Sequence, residues 1–145
     1  MRECLDASVI VKWFKKDEPH RKEAEILFQR IKDFEAEFIV SEWVLLEVTR
    51  GLVKAGVKKN EVIETNRILN DLLAVGAIKT IPVTQVLDLA TDIEIELDLY
   101  AADAVHLATA ITTNSKILWS EDEHLHKNKV KDYAKKLEIR TLDKQ

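Results

Sequence analysis

Cys4-Leu5-Asp6-Ala7-Ser8-Val9-Ile10-Val11 is the stretch on which the fold turns. Residues 2 to 6 read as a strand, and Ser8 to Phe14 as a short apolar helix. An acid therefore sits where a strand hands the chain to a helix, the arrangement of a βα unit. The same alternation continues outward. Pro19, after Asp17 and Glu18, is placed to open a helix that carries Ala24, Leu27, Ile31 and Phe34 at helical spacing. Phe38-Ile39-Val40 is a second strand, and Ser41 caps a helix running to Gly56.

A further helix starts near Asn60 and carries Val62, Ile68, Leu69, Leu72, Leu73 and Val75 before Gly76. Ile78 to Val83 is a third strand, which Pro82 restricts to an edge or an end. Thr84 caps a helix with Val86, Ala90, Ile93 and Leu97 on one face. Ala101 to Thr113 is an Ala-rich helix, Lys116 to Trp119 a fourth strand, and Glu138 to Leu142 a fifth. Strands separated by helices imply crossover connections, hence an α/β fold with a central parallel sheet of four to five strands and helices on both faces. At 145 residues this is one domain, 1–145, burying roughly two-thirds of the surface its unfolded chain exposes.

Composition narrows the class. A 46% hydrophobic and 33% charged chain is globular rather than disordered. Abundant Lys and Glu with only 3 Gly and 2 Pro lean toward a heat-adapted source. The net charge of −4 argues against an all-over cationic coat but leaves local patches open. One cysteine, Cys4, has no intrachain partner and reads as a buried thiol in a reducing compartment. Without an apolar stretch of about 18 residues or a signal-like start, the expected location is the cytoplasm.

Four of the 26 acids stand where ordinary elements have little use for them: Asp6, Glu47, Asp103 and Asp122. In a parallel sheet the crevice lies beyond the carboxyl ends of the strands. Asp6 and Asp122 follow strands one and four, Asp103 lies in the first turn of its helix, and Glu47 sits two turns into another. Each has a plainer reading. Asp6 could cap the helix after it, and Ser120-Glu121-Asp122-Glu123 is a capping-box pattern. Glu47 could pair with Arg50 on a solvated face, whereas Asp103 projects beside Leu107 and Ala110, where an unpaired carboxylate is costly.

If the fold gathers them, each pair at ~5 Å repels by roughly 3 kcal/mol at an effective dielectric of ~20. A cation offsets this. Mg²⁺ or Mn²⁺ suits an all-oxygen site, and no His/Cys cluster in the sequence favours zinc. A hard cation held by carboxylates is a phosphate-handling device.

At these residues the chain resembles the PIN-domain ribonucleases, especially their short VapC-type toxin members, over nearly its whole length. The resemblance is carried by Leu5-Asp6-Ala7-Ser8-Val9-Ile10-Val11-Lys12-Trp13-Phe14, Glu47-Val48-Thr49-Arg50-Gly51-Leu52, Ala102-Asp103-Ala104-Val105-His106-Leu107-Ala108-Thr109-Ala110 and Leu118-Trp119-Ser120-Glu121-Asp122. It implies a three-layer α/β/α sandwich, with Asp6, Glu47, Asp103 and Asp122 as metal-binding and catalytic residues. It implies Mg²⁺- or Mn²⁺-dependent hydrolysis of single-stranded RNA by a water that the metal activates. A homodimer and an antitoxin partner follow from the same resemblance. In the fourth segment Glu121 adds an acid between Ser120 and Asp122, which leaves two candidates for that position.

Ser8 and Ser120 are placed to orient a carboxylate, or to cap helices. His106, one turn after Asp103, would be a general base if it faced the cleft. A packed or surface histidine is the preferred reading, since a cation-activated water needs none. Lys12 and Arg50 are the candidate RNA phosphate contacts, with Lys15 and Lys16 further out. Lys127, Lys129, Lys131, Lys135 and Lys136 read as a solvated face. Trp13, Phe14 and Phe28 form either an exposed partner surface or ordinary core.

Rival functions are a non-toxin RNA-processing nuclease, a non-catalytic RNA- or metal-binding module, and a phosphotransferase with Asp6 as nucleophile. The last usually needs a second acid two residues on, where this chain has Ser8.

Overall fold

Five strands form one parallel sheet in the order β3-β2-β1-β4-β5. The computed structural model describes residues 1–15 and 19–145. The strands are β1 (Arg2–Leu5), β2 (Glu37–Ser41), β3 (Ile78–Ile81), β4 (Ile117–Trp119) and β5 (Glu138–Arg140). The helices are α1 (Ala7–Phe14), α2 (Arg21–Lys32), α3 (Trp43–Lys54), α4 (Lys59–Ala74), α5 (Leu87–Leu97), α6 (Ala101–Thr112) and α7 (Asn128–Tyr133).

Alternation along the strands divides the core into two layers. Leu5, Phe38, Val40, Ile117 and Trp119 pack with α1 to α4, while Cys4, Leu118 and Ile139 pack with α5 to α7. The α/β/α sandwich expected from the alternating runs is thus present. Burial pushes the Cys4 thiol up to about 12, with the nearby Asp6 charge adding to the effect, so it stays protonated and inert.

The chain builds outward on one side, β1 to β2 to β3, and then crosses back to place β4 on the other side of β1. That reversal opens a crevice at the carboxyl ends of β1 and β4. Their register pairs Leu5 with Trp119, so Asp6 and Ser120 emerge side by side, and the Asp6 amide donates to the Trp119 carbonyl at 3.0 Å. Close packing of α1 on α3 fixes the second wall. A methyl group at Gly51 would meet Val11 Cγ2 at 3.2 Å, a contact that keeps this position small.

Several element ends differ from the sequence reading. α2 begins at Arg21 after His20 in a left-handed conformation, so Pro19 precedes the helix rather than opening it; the Lys16, Asp17 and Glu18 part of that reading lies outside the described residues. Phe34 lies past the end of α2 at φ 54° and is 57% exposed, off the core face. Glu42 precedes the first residue of α3, and Ser41 ends β2 while its Oγ accepts from the Trp43 amide at 3.2 Å. β3 stops at Ile81, before Pro82, at the sheet edge where a proline is tolerated. Thr84 belongs to a 3-10 turn, and α5 starts at Leu87. β5 ends at Arg140, and α7 is an element the sequence reading did not contain. Gly56 and Gly76 terminate α3 and α4 as read, at φ 79° and 78°.

Candidate metal centre

Asp6 occupies the N-cap position of α1, yet its side chain makes no cap hydrogen bond. Its Oδ2 instead accepts from Ser8 Oγ at 3.1 Å and from Ser120 Oγ at 2.6 Å. The two hydroxyls accept in turn from the next strand's loop: Ser8 Oγ from the Glu121 amide at 2.9 Å, Ser120 Oγ from the Asp122 amide at 3.0 Å. This lattice joins the ends of β1 and β4 and fixes the Asp6 carboxylate with Oδ1 free of both serines. The plain capping reading of Asp6 does not describe it.

Asp103 projects from the first turn of α6 and is buried. Burial first, then the Asp122 charge and a hydrogen bond between the two carboxyls, and then Asp6, push its pKa up to about 7. Asp103 therefore holds its proton more tightly than an ordinary carboxyl, because it is buried beside two other acids. Asp122 also does what its capping reading foresaw, accepting from the His124 amide at 2.9 Å. Glu121 turns away: its Oε1 accepts from the Leu142 amide at 2.7 Å, beyond the end of β5. Of the two neighbouring acids, Asp122 is the one beside Asp103.

Glu47 reaches inward from α3 and hydrogen-bonds His106 Nε2 rather than pairing with Arg50. The same nitrogen lies 3.7 Å from Asp6 Oδ1. Ligating atoms of Asp6, Glu47 and His106 all lie within 4.8 Å of one another. Burial pulls His106 toward neutrality, while the Glu47 hydrogen bond and the charges of Asp6, Glu47 and Asp103 outweigh it and raise the imidazole pKa. His106 is thus the side chain whose place the sequence reading missed. It is neither a surface residue nor an ordinary core filler, being 1% exposed and inside the acidic cluster. Its position three residues after Asp103, on the same helical face, was the available signal.

The remaining candidates lie elsewhere. Lys12 Nζ donates to the Pro19 carbonyl at 3.0 Å, and Arg50 is exposed one turn beyond Glu47. Trp13 is buried, its ring centroid 4.9 Å from that of Phe28, and Phe14 and Phe28 are partly buried against the same core. These aromatics pack as ordinary core, the second of the two readings given for them, and not as an exposed surface.

A third buried acid, besides Asp6 and Asp103, shows what a purely structural carboxylate looks like. Glu3 is fully buried in β1, but Arg30 grips it at 2.8 and 3.2 Å and Trp119 Nε1 donates to it at 2.7 Å. Asp6, Asp103 and Asp122 have hydroxyls, amides and one another instead. Such a donor set fits a hard cation: oxygen ligands and excess negative charge.

The comparisons agree with this fold. The model of the PIN domain family matches residues 4–131. The fold is similar to VapC20 of Mycobacterium tuberculosis, a sarcin-ricin loop cleaving toxin, at TM-score 0.68 and 14% identity over 83% of this chain and 89% of that one. It is similar to VapBC-1 of nontypeable Haemophilus influenzae at TM-score 0.64 and 14% identity, over 99% of both chains. A toxin-antitoxin complex from Klebsiella pneumoniae aligns at TM-score 0.60 and 19% identity, over 97% of both chains. No curated protein matches the chain in sequence. With the family model spanning most of its length, including all four acidic segments, the chain belongs to the PIN domain family.

Proposed function

We propose that this chain is a Mg²⁺- or Mn²⁺-dependent endoribonuclease, a single domain over residues 1–145, acting in the cytoplasm as the toxin of a VapBC-type toxin-antitoxin pair. The observation that carries the reading is the convergence of Asp6, Asp103 and Asp122, with Glu47 beside Asp6, at the crevice between β1 and β4. Asp6, Glu47, Asp103 and Asp122 are the residues that would hold the ion. When bound, the cation lowers the pKa of a water and neutralises charge on a phosphodiester.

The chain's own residues supply the rest. Ser8 and Ser120 hold the Asp6 carboxylate in one orientation, and the buried floor keeps Asp103 from swinging out. Arg50, exposed one turn along α3 from Glu47, and Lys12 on α1 are the cations proposed to meet RNA phosphates. The nuclease reading is favoured over a non-catalytic module because all four acids are kept, and over phosphoryl transfer because Ser8 already bonds Asp6 where a second acid would stand.

Toxin neighbours support an antitoxin partner. A second copy of the chain is supported by α3, which exposes Trp43, Leu46 and Val53 along one helical stripe. Among the described residues no helix is long and apolar enough to cross a bilayer.

The test is cleavage of single-stranded RNA by purified protein with Mg²⁺ or Mn²⁺, against Asp6→Asn and Asp103→Asn. Cleavage that needs the metal and disappears in both variants is expected. Equal activity in wild type and both variants would refute the reading.

A further inference from the structure

We infer that His106 is a positioning residue for Glu47, donating its Nε2 proton to that carboxylate, and that it is not a ligand of the metal; the metal half of this rests on the function proposed above. Asp6 and Asp122 follow strand ends and Asp103 is buried in the first turn of α6, whereas Glu47 has neither support. It sits in the second turn of α3 on a long, partly exposed side chain. Among the described residues its hydrogen-bonding partner is Nε2 of His106. His106 comes from α6, the helix that also carries Asp103. One rigid helix thereby presents Asp103 directly and aims Glu47 indirectly.

The alternative is that Nε2 ligates the ion, since it lies among the carboxylates with Asp6 Oδ1 at 3.7 Å. The other ring nitrogen decides against it. A histidine that ligates through Nε2 must carry its proton on Nδ1, and in metal sites that proton is almost always given to a carboxylate, a carbonyl or water. Here Nδ1 is buried and has no hydrogen-bond partner among the described residues. Moving the proton there would strand a donor in the core and remove the one that Glu47 uses. In the neutral and in the charged ring alike, Nε2 keeps its proton, because acceptors face only that side. Glutamine can stand in for this role, as its amide nitrogen reaches about as far as Nε2 and donates. Leucine cannot.

Two measurements test the assignment. In metal-free protein, long-range ¹H–¹⁵N spectra should show a protonated Nε2 whose proton signal shifts or is lost in Glu47→Ala. A proton found on Nδ1 alone would overturn the inference with no metal involved. With Mn²⁺ as the probe, pulsed electron paramagnetic resonance should show no directly bound histidine nitrogen in the wild type. His106→Gln should bind Mn²⁺ within a few-fold of wild type, and His106→Leu about 10–100-fold more weakly. A bound ¹⁴N signal that His106→Gln abolishes, or equal weakening in the two variants, would overturn it. Wild-type protein that binds no Mn²⁺ while its Nε2 proton answers to Glu47 would count against the metal reading and leave the His106–Glu47 pair standing.

Discussion

Ser120 Oγ donates to Asp6 Oδ2 at 2.6 Å across 114 positions of sequence, and the same oxygen accepts from the Asp122 amide. One buried hydroxyl thus ties the acid after β1 to the acid after β4. Ser120→Ala removes both bonds and leaves the Asp122 amide and Asp6 Oδ2 short of partners. The expected loss is about 1–3 kcal/mol of stability. RNA cleavage should fall roughly 10–100-fold, as for other residues that orient a metal ligand. Thermal melts and single-turnover cleavage check the two halves separately.

The elevated pKa of Asp103 makes the metal-free protein sensitive to pH. An acid whose folded pKa lies above its unfolded one holds its proton more tightly when folded. Stability is then highest below the unfolded value of 3.8 and declines as pH rises toward about 7. Urea melts in EDTA at pH 5 and pH 7.5 should show the protein weaker at the higher pH, with Asp103→Asn flattening the difference. Identical profiles for the two proteins would contradict the raised pKa of Asp103.

Arg30 should matter for folding and not for chemistry. It neutralises Glu3, at the opposite end of β1 from Asp6. Arg30→Met strands that carboxylate and should cost about 3–5 kcal/mol. Adding Glu3→Gln should recover much of the loss. Cleavage per folded molecule should stay at the wild-type level in both, read by normalising rate to the folded fraction.

Glu121 separates sequence adjacency from participation. Its carboxylate bonds the Leu142 amide, away from Asp103. Glu121→Gln retains an oxygen acceptor for that amide, so both metal affinity and cleavage are expected to remain near wild type, in contrast to Asp122→Asn. Calorimetric metal titration of the pair makes the comparison.

The α3 stripe gives the dimer a simple test. Leu46 is 61% exposed beside Trp43 at 45%, on the outside of the helix. Leu46→Asp should shift the sedimenting species from dimer to monomer while the melting temperature changes little. A wild type that is monomeric at all concentrations removes the dimer from the proposal.

Much of the fold was legible because hydrophobic period is a local property. Val62, Leu69 and Leu72 at helical spacing, or Phe38-Ile39-Val40 before Ser41, announce their element wherever the chain goes afterwards. Helix starts were less legible. His20, rather than Pro19, precedes α2 in the left-handed region, and no sequence rule selected it. α7, at six residues, is too short to show a period of its own. Trp13 illustrates the other limit, since the same residue reads as partner surface or core until its neighbour Phe28 is in place.

By itself the sequence determined which acids were available and which element each rode on: Asp6 after a strand, Asp103 in a helix first turn, Glu47 inside another helix. Those assignments follow from the residues immediately around each one. What they touch was decided by the crossover from β3 back to the far side of β1, which sets β4 beside β1 and brings Ser120 to Asp6. The meeting of Glu47 with His106, and the turning away of Glu121, depend likewise on helices packed from distant parts of the chain. Hydrogen bonds and charge repulsion act over a few ångströms of space, so their partners are fixed only once the tertiary structure has closed that distance.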